Sequence, residues 1–200
     1  LERLFGNNGP DEGYLYKYIP DFGWKLKEGG EEDDLTAIDE LYATYELGPI
    51  QKIIDVEHHL RFAAAEAVMP NEDNYFVGSI NYVWYQHPSR GWMLLPWDHD
   101  WSFYSAELDP RDPPFSWLNE HLWVLVHSPL STDYDIALKE AIDGYDPALF
   151  SERLQRWAAQ VRPSANADFS LPIGEFDDEV ARLDAFFWER HAYLANVFSE

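Results

Sequence analysis

The feature that most constrains this chain is a pair of apolar runs joined by a short connection and ended by acids. Ile80 to Tyr85 and Trp92 to Leu95 flank His87-Pro88-Ser89-Arg90-Gly91. The second run continues into Pro96-Trp97-Asp98-His99-Asp100-Trp101. Proline and glycine in so short a connection predict a β-hairpin, which puts the acids directly past a strand end. Two carboxylates at i and i+2 there are well placed for a hard divalent cation. Mg²⁺ takes oxygen ligands, usually one or two carboxylates completed by phosphate and water. An isolated Asp-x-Asp is more often a solvated strand end, so context decides. Here Trp97 and Trp101 bracket the pair and are expected to restrict solvent. The other hairpin strand begins with polar Asn81, and Asp73 lies in the loop before it.

Upstream, Gly13 to Ile19 alternates and is rich in tyrosine, and Phe22 to Lys27 follows a Pro-Asp break. Both read as short strands. The acidic run Glu31 to Asp34 opens a helix with apolar positions at Leu35, Ile38, Tyr42 and Tyr45, its acids suiting the positive end of the dipole. A second helix is predicted after Asp55, with Val56, Leu60, Ala63 and Ala67 as its buried stripe and Met69-Pro70 as its stop. Beyond the Pro/Asp-rich stretch 109–114 the chain reads as helical. Asp146-Pro147 has the form of an N-cap with proline at N1, followed by a stripe of Phe150, Leu154, Trp157 and Val161. The last helix carries Phe176, Val180, Leu183, Phe187, Leu194 and Phe198. The fold class expected is α+β, mainly helical.

Composition removes several function classes. Acids outnumber Lys and Arg by 37 to 14, a formal charge of −23, which excludes ordinary phosphate-backbone binding of nucleic acid. Such a surface favours basic partners or solubility. There is no cysteine, hence no disulfide or thiolate metal site. No apolar run reaches the roughly 18–20 residues of a transmembrane helix, and no signal peptide is visible. The chain opens on Leu1-Glu2-Arg3-Leu4, so it reads as a mature or cut piece with any targeting segment upstream.

A kinase-type phosphoryl-transfer site needs an Asp for the hydroxyl proton, an Asn on metal, and an Asp bridging metal to phosphates. Ordinary kinases order these as loop Asp, loop Asn, hairpin and metal Asp. Asp73, Asn81, the hairpin and Asp98 fall in that order after a helix.

Asp73-Asn74-Tyr75, Asn81-Tyr82-Val83-Trp84-Tyr85 and Gly91 to Asp100 closely resemble the CotH (spore coat protein H) family of atypical kinases. Tyr14-Leu15-Tyr16-Lys17-Tyr18, Ile54-Asp55-Val56 and the last helix with Arg190 are similar to family features as well. Pro-Trp-Asp-x-Asp after Asn-Tyr is the most specific part. The resemblance implies a protein kinase-like fold that uses ATP with Mg²⁺, or Mn²⁺, to phosphorylate Ser or Thr of a protein. It makes Asp73 the catalytic base, Asn81 and Asp98 metal ligands, and Asp100 a third. Residues 1–30 would be the end of the N-lobe and the hinge, with Leu26, Lys27 and Glu28 near adenine. Residues 31–200 would be the C-lobe. Substrates are expected to be Ser-rich and basic, and the setting a bacterial spore coat, secreted or cell-surface one. Nothing in the sequence reads as an oligomeric state.

Two departures stand out. Asp73 and Asn81 are eight positions apart rather than five, so the loop must bulge, and Asn74 and Glu72 rival Asp73. The family's ATP-phosphate Lys and its Glu partner lie upstream of the Leu-Tyr-Lys segment. Lys17, Lys25 and Lys27 stand in the wrong places to replace it, so a fragment inactive by itself is expected.

Other residues have plainer readings. Adjacent helical residues point about 100° apart, so Glu57-His58-His59 is no zinc motif. His99 is expected to point away from the metal, while His121, His127 and His191 read as packing residues. No nucleophile elbow surrounds Ser102 or Ser105. Trp117, Trp123, Trp157 and Trp188 read as helical core. Two other functions remain: a non-catalytic surface or carbohydrate-binding module, and a metal-dependent glycosyltransferase using Asp98-x-Asp100. The latter fold requires alternating strands and helices before the motif.

Overall fold

Alternation of side chains along four short strands builds a sheet with two buried faces. The computed structural model describes residues 13–19, 23–29, 34–47, 50–71, 73–78, 80–103, 105–111, 131–168, 172 and 174–198. Strands β1 (Tyr14–Ile19), β2 (Gly23–Glu28), β3 (Tyr82–His87) and β4 (Gly91–Pro96) pair in the order β2-β1-β3-β4. All three ladders are antiparallel. The strands expected to belong to two lobes thus share one sheet, because β1 pairs with β3. An antiparallel sheet of this kind does not provide the alternating strand–helix order that the glycosyltransferase reading requires.

Helices follow: α1 (Thr36–Leu47), α2 (Val56–Val68), the single turn α3 (Tyr75–Gly78), α4 (Ser131–Asp143), α5 (Pro147–Ala167) and α6 (Glu175–Val197). Tyr16, Leu26, Tyr82, Trp84, Trp92 and Leu94 share one sheet face and form the main core with Leu60, Ala63 and Ala64 of α2. Trp84 is fully buried, stacked on His59 and edge-on to Tyr75 and Trp92. The opposite face carries a second cluster of Val83, Tyr85, Met93 and Leu95. These positions alternate with the first set, as the strand period of two demands.

Local signals set the boundaries. Asp55 caps α2, accepting from the His58 N–H at 3.0 Å. Asp146 caps α5 with Pro147 in its first turn. The hairpin turn docks on the segment before α2: Trp92 N–H donates to Ile53 O at 2.9 Å and Asp55 N–H to Trp92 O at 2.8 Å. The C-terminus of α2 ends in carbonyls without helical partners, and Arg190 of α6 supplies them. Its Nε donates to Val68 O and Nη2 to Ala67 O, both at 2.9 Å. Nη1 reaches Ala106 O at 2.8 Å and Leu108 O at 2.6 Å. One buried guanidinium therefore ties the chain just before the Asp73 loop to the chain just after the Asp98 turn.

Several expected core positions are exposed. Trp157 is 56% exposed and Trp188 51%. Val161 and Tyr42 are exposed too. The buried stripe of α5 is Pro147 and Ala158, and that of α6 is Val180, Phe186, Phe187, Arg190 and Leu194. The two helices pack against each other and leave wide outer faces. An apolar stripe read from period alone was broader than the surface available to cover it. Tyr45, Trp117, Trp123, His121 and His127 fall where no side chain is described.

Candidate functional site

The antiparallel register brings the chemistry to one end of the hairpin. Tyr82 pairs with Pro96, so Asn81 just before β3 stands opposite Trp97 just after β4, with Asp98 next. Asn81 and Asp98 both adopt φ of +55°, a left-handed backbone that Asn and Asp tolerate better than other non-glycine residues. Phe103, at φ +68°, ends the same acidic turn. Asn81 stands just before β3, and Asp98 and Phe103 lie in the turn after β4, so these residues gather at one end of the hairpin.

The eight-residue interval between Asp73 and Asn81 is taken up by α3, a single helical turn. Asn81 Nδ2 donates to Asp73 Oδ2 at 2.7 Å and to Asp73 O at 3.0 Å. The bulge that the spacing demands is therefore a short helix, and the two residues meet. The rival Asn74 is 2% exposed. Its Oδ1 accepts from Phe76 and Val77 N–H groups at 2.8 and 3.0 Å, and its Nδ2 donates to Glu66 Oε2 at 3.0 Å and Asn71 O at 2.6 Å. Every polar group of the Asn74 side chain is engaged in shaping the loop. Glu72 lies outside the described residues.

The acidic turn packs against this loop. Asn71 bridges Ser102, and Phe103 N–H donates to Met69 O and Pro70 O at 3.3 and 3.2 Å. His99 turns inward, its Nε2 3.4 Å from Glu66 Oε1. Asp98 and Asp100 are exposed. Trp97 and Trp101 are 47% and 69% exposed, so they do not shield the acids from solvent as expected. Trp97 instead takes Lys17 over its ring, with Nζ 3.7 Å from the centroid. Partial burial lowers the Lys17 pKa, and the neighbouring Asp98 carboxylate opposes that shift.

Leu26, Lys27 and Glu28 lie within β2 and not in a loop; Leu26 pairs with Tyr16 and is buried. Beyond them Gly29 borders a cleft of about 930 Å³ that also touches Tyr14, Leu41, Lys52, His87 and Trp92. This cleft lies at the hairpin-turn end, so one strand length, roughly 17–20 Å, separates it from Asn81 and Asp98.

The side chains of Glu57, His58 and His59 diverge as helical geometry requires. Glu57 pairs with Arg61, His58 Nε2 contacts Leu94 O at 2.6 Å, and His59 is buried. Among the described residues no group of three or more His, Asp or Glu converges as a metal site. Asn81 and Asp98 nevertheless offer hard oxygens, and the amide bonds to Asp73 leave Asn81 Oδ1 on the other side. That donor set fits a magnesium-type ion whose remaining ligands are phosphate and water.

Sequence reading missed Glu66 and the position of Lys17. Glu66 had a signal: a lone acid inside the apolar run Phe62 to Val68, where burial without a partner is costly. Lys17 had none, because its neighbour Asp98 comes through the β1–β3 pairing and the continuation of β4.

No curated protein and no solved structure matches the chain. The family described as CotH kinase protein matches residues 16–194, which span nearly all of the sheet, the Asp73 loop, the hairpin and most of α6. The chain belongs to the CotH kinase protein family.

Proposed function

We propose that this protein is an ATP-dependent kinase that transfers the γ-phosphate to Ser or Thr of a protein substrate, with Mg²⁺ or Mn²⁺ as the ion. Residues 1–30 act as the end of the N-lobe and the hinge, and residues 31–200 as a kinase-like C-lobe. The bound ion supplies charge neutralisation at the phosphates. Asn81 Oδ1 and the Asp98 carboxylate hold it, with Asp100 as a further oxygen ligand. Asp73 accepts the substrate hydroxyl proton on the carboxylate oxygen that Asn81 does not occupy. Leu26, Lys27 and Glu28 sit on the adenine side. A surface of net charge −23 suits a Ser-rich, basic substrate.

The observation that carries this reading is the pair of left-handed residues, Asn81 and Asp98, at one end of the hairpin with Asp73 tied to the first. The full-length protein and its Asp98→Ala variant should be given γ-labelled ATP, Mg²⁺ or Mn²⁺, and a Ser-rich basic peptide. Label transferred by the parent and lost in the folded variant is the expected result. No transfer by a folded parent with either ion would sink the reading.

A second reading has one observation in its favour. Trp97, Trp101, Trp157 and Trp188 are all about half exposed or more, and exposed indoles can stack on sugar faces. A parent without transfer that binds soluble glycans would be a non-catalytic carbohydrate-binding module.

A further inference from the structure

Glu66 is the buried acid that touches both halves of the site. It lies on the last turn of α2, 2% exposed, in a run otherwise made of Phe, Ala and Val. Its Oε2 accepts from Asn71 Nδ2 at 2.9 Å and Asn74 Nδ2 at 3.0 Å, the two residues that flank Asp73 in the loop. Asn71 Oδ1 in turn accepts the Asp73 N–H at 3.1 Å. Among the described residues Glu66 Oε1 has no hydrogen-bond partner in the strict sense; it faces His99 Nε2 at 3.4 Å, between Asp98 and Asp100. Burial raises the Glu66 pKa, while His99, Asn71 and Asn74 act the other way.

A carboxylate withdrawn from water is costly unless its lone pairs are met. Asn71 and Asn74 meet those of Oε2, His99 stands 3.4 Å from Oε1, and all three residues come from the segments carrying the proposed base and ion ligands. Simple packing would be served better by Leu or Met at this position.

We propose that Glu66 is a positioning residue that holds the Asp73 loop and the Asp98-His99-Asp100 turn in fixed register, one carboxylate oxygen serving each. This rests on the kinase reading only for the identity of the ion, not for the coupling itself. Side chains that orient ligands from behind typically change metal affinity or activity by about 10–100-fold.

The test uses the full chain as parent, Glu66→Gln, His99→Ala and the double variant, each checked for a cooperative thermal transition. Mn²⁺ affinity is read from water-proton relaxation, without nucleotide or turnover. Glu66→Gln is expected to bind Mn²⁺ about tenfold more weakly. His99→Ala should weaken binding when made in the parent and have little further effect when added to Glu66→Gln. Parent affinity in a folded Glu66→Gln, or fully additive losses, would overturn the inference. If Glu66→Gln does not fold, His99→Ala alone decides: parent-like Mn²⁺ affinity overturns the inference and weakened affinity supports it.

Amide exchange provides a readout independent of metal. Residues 73–77 and 99–103 should both exchange faster in Glu66→Gln, whereas a change confined to the first segment overturns the coupling. Where the parent transfers phosphate, kcat should fall with KM for peptide unchanged. A parent that binds Mn²⁺ but transfers nothing defeats the kinase reading and leaves this inference to the affinity and exchange results.

Discussion

The Asn81 amide donates to the Asp73 carboxylate at 2.7 Å across a loop that contains a complete helical turn. This contact orients Asp73 and turns the Asn81 carbonyl oxygen the other way. Asp73→Asn keeps an acceptor for Asn81 but removes the charge proposed to accept the proton. Its kcat for peptide phosphorylation is expected to fall by about 10²–10⁴-fold with the fold intact. Asn81→Ala should lose at least as much and also need more Mg²⁺ for half-maximal rate. A Mg²⁺ titration of the two variants separates these roles; equal shifts in Mg²⁺ requirement would contradict them.

His59 predicts an acid sensitivity unrelated to the site. Burial pushes its pKa down to about 3, and neither ring nitrogen has a hydrogen-bond partner among the described residues. Below an ordinary histidine value of about 6.5 the unfolded chain takes up the proton first. Its contribution is therefore full above that pH and is lost as the pH falls towards 3. The slope approaches about 1.4 kcal/mol per pH unit. His59→Phe, which keeps the stacking on Trp84, should flatten this part of the urea-unfolding profile. A profile identical to the parent between pH 4 and 6.5 would show that His59 is not the group responsible.

Gly91 opens β4 at φ +84°, and a Cβ there would press on the Ile53 carbonyl, which accepts the Trp92 N–H. Gly91→Ala should therefore destabilise by about 1–3 kcal/mol. Gly174 shares the positive φ but has open space around it among the described residues, so Gly174→Ala should cost only the backbone part. Chemical denaturation of both variants tests the ranking, and equal losses would remove the steric argument.

Arg190 is fully buried, and burial lowers its pKa to about 10. Arg190→Met would leave the carbonyls of Ala67, Val68, Ala106 and Leu108 without their donor. A loss of about 3 kcal/mol or more is expected. Arg190→Lys should recover little, since one ammonium cannot span four carbonyls as a planar guanidinium does. Thermal unfolding measures both, and a Lys variant as stable as the parent would contradict this account.

The hairpin, the start of α2 after Asp55, the cap at Asp146, and the α2 stripe of Leu60, Ala63 and Ala67 were legible in the sequence. Each depends on residues within a turn or two of one another, where steric preference and side-chain period act directly. The order Asp73, Asn81, hairpin, Asp98 was legible for the same reason, as a linear pattern. What the sequence alone could not decide was contact between distant segments. Trp157 and Trp188 have core-like chemistry, yet their exposure depends on how much of α5 and α6 other elements cover. Lys17 meets Trp97 and Asp98 only because β1 pairs with β3. Glu66 meets Asn71, Asn74 and His99 only because the loop and the acidic turn fold onto the same end of α2. Local pattern determined which residue types stood ready for phosphate and metal chemistry. Tertiary packing decided which of them are held together, because burial and pairing belong to surfaces that no single segment carries.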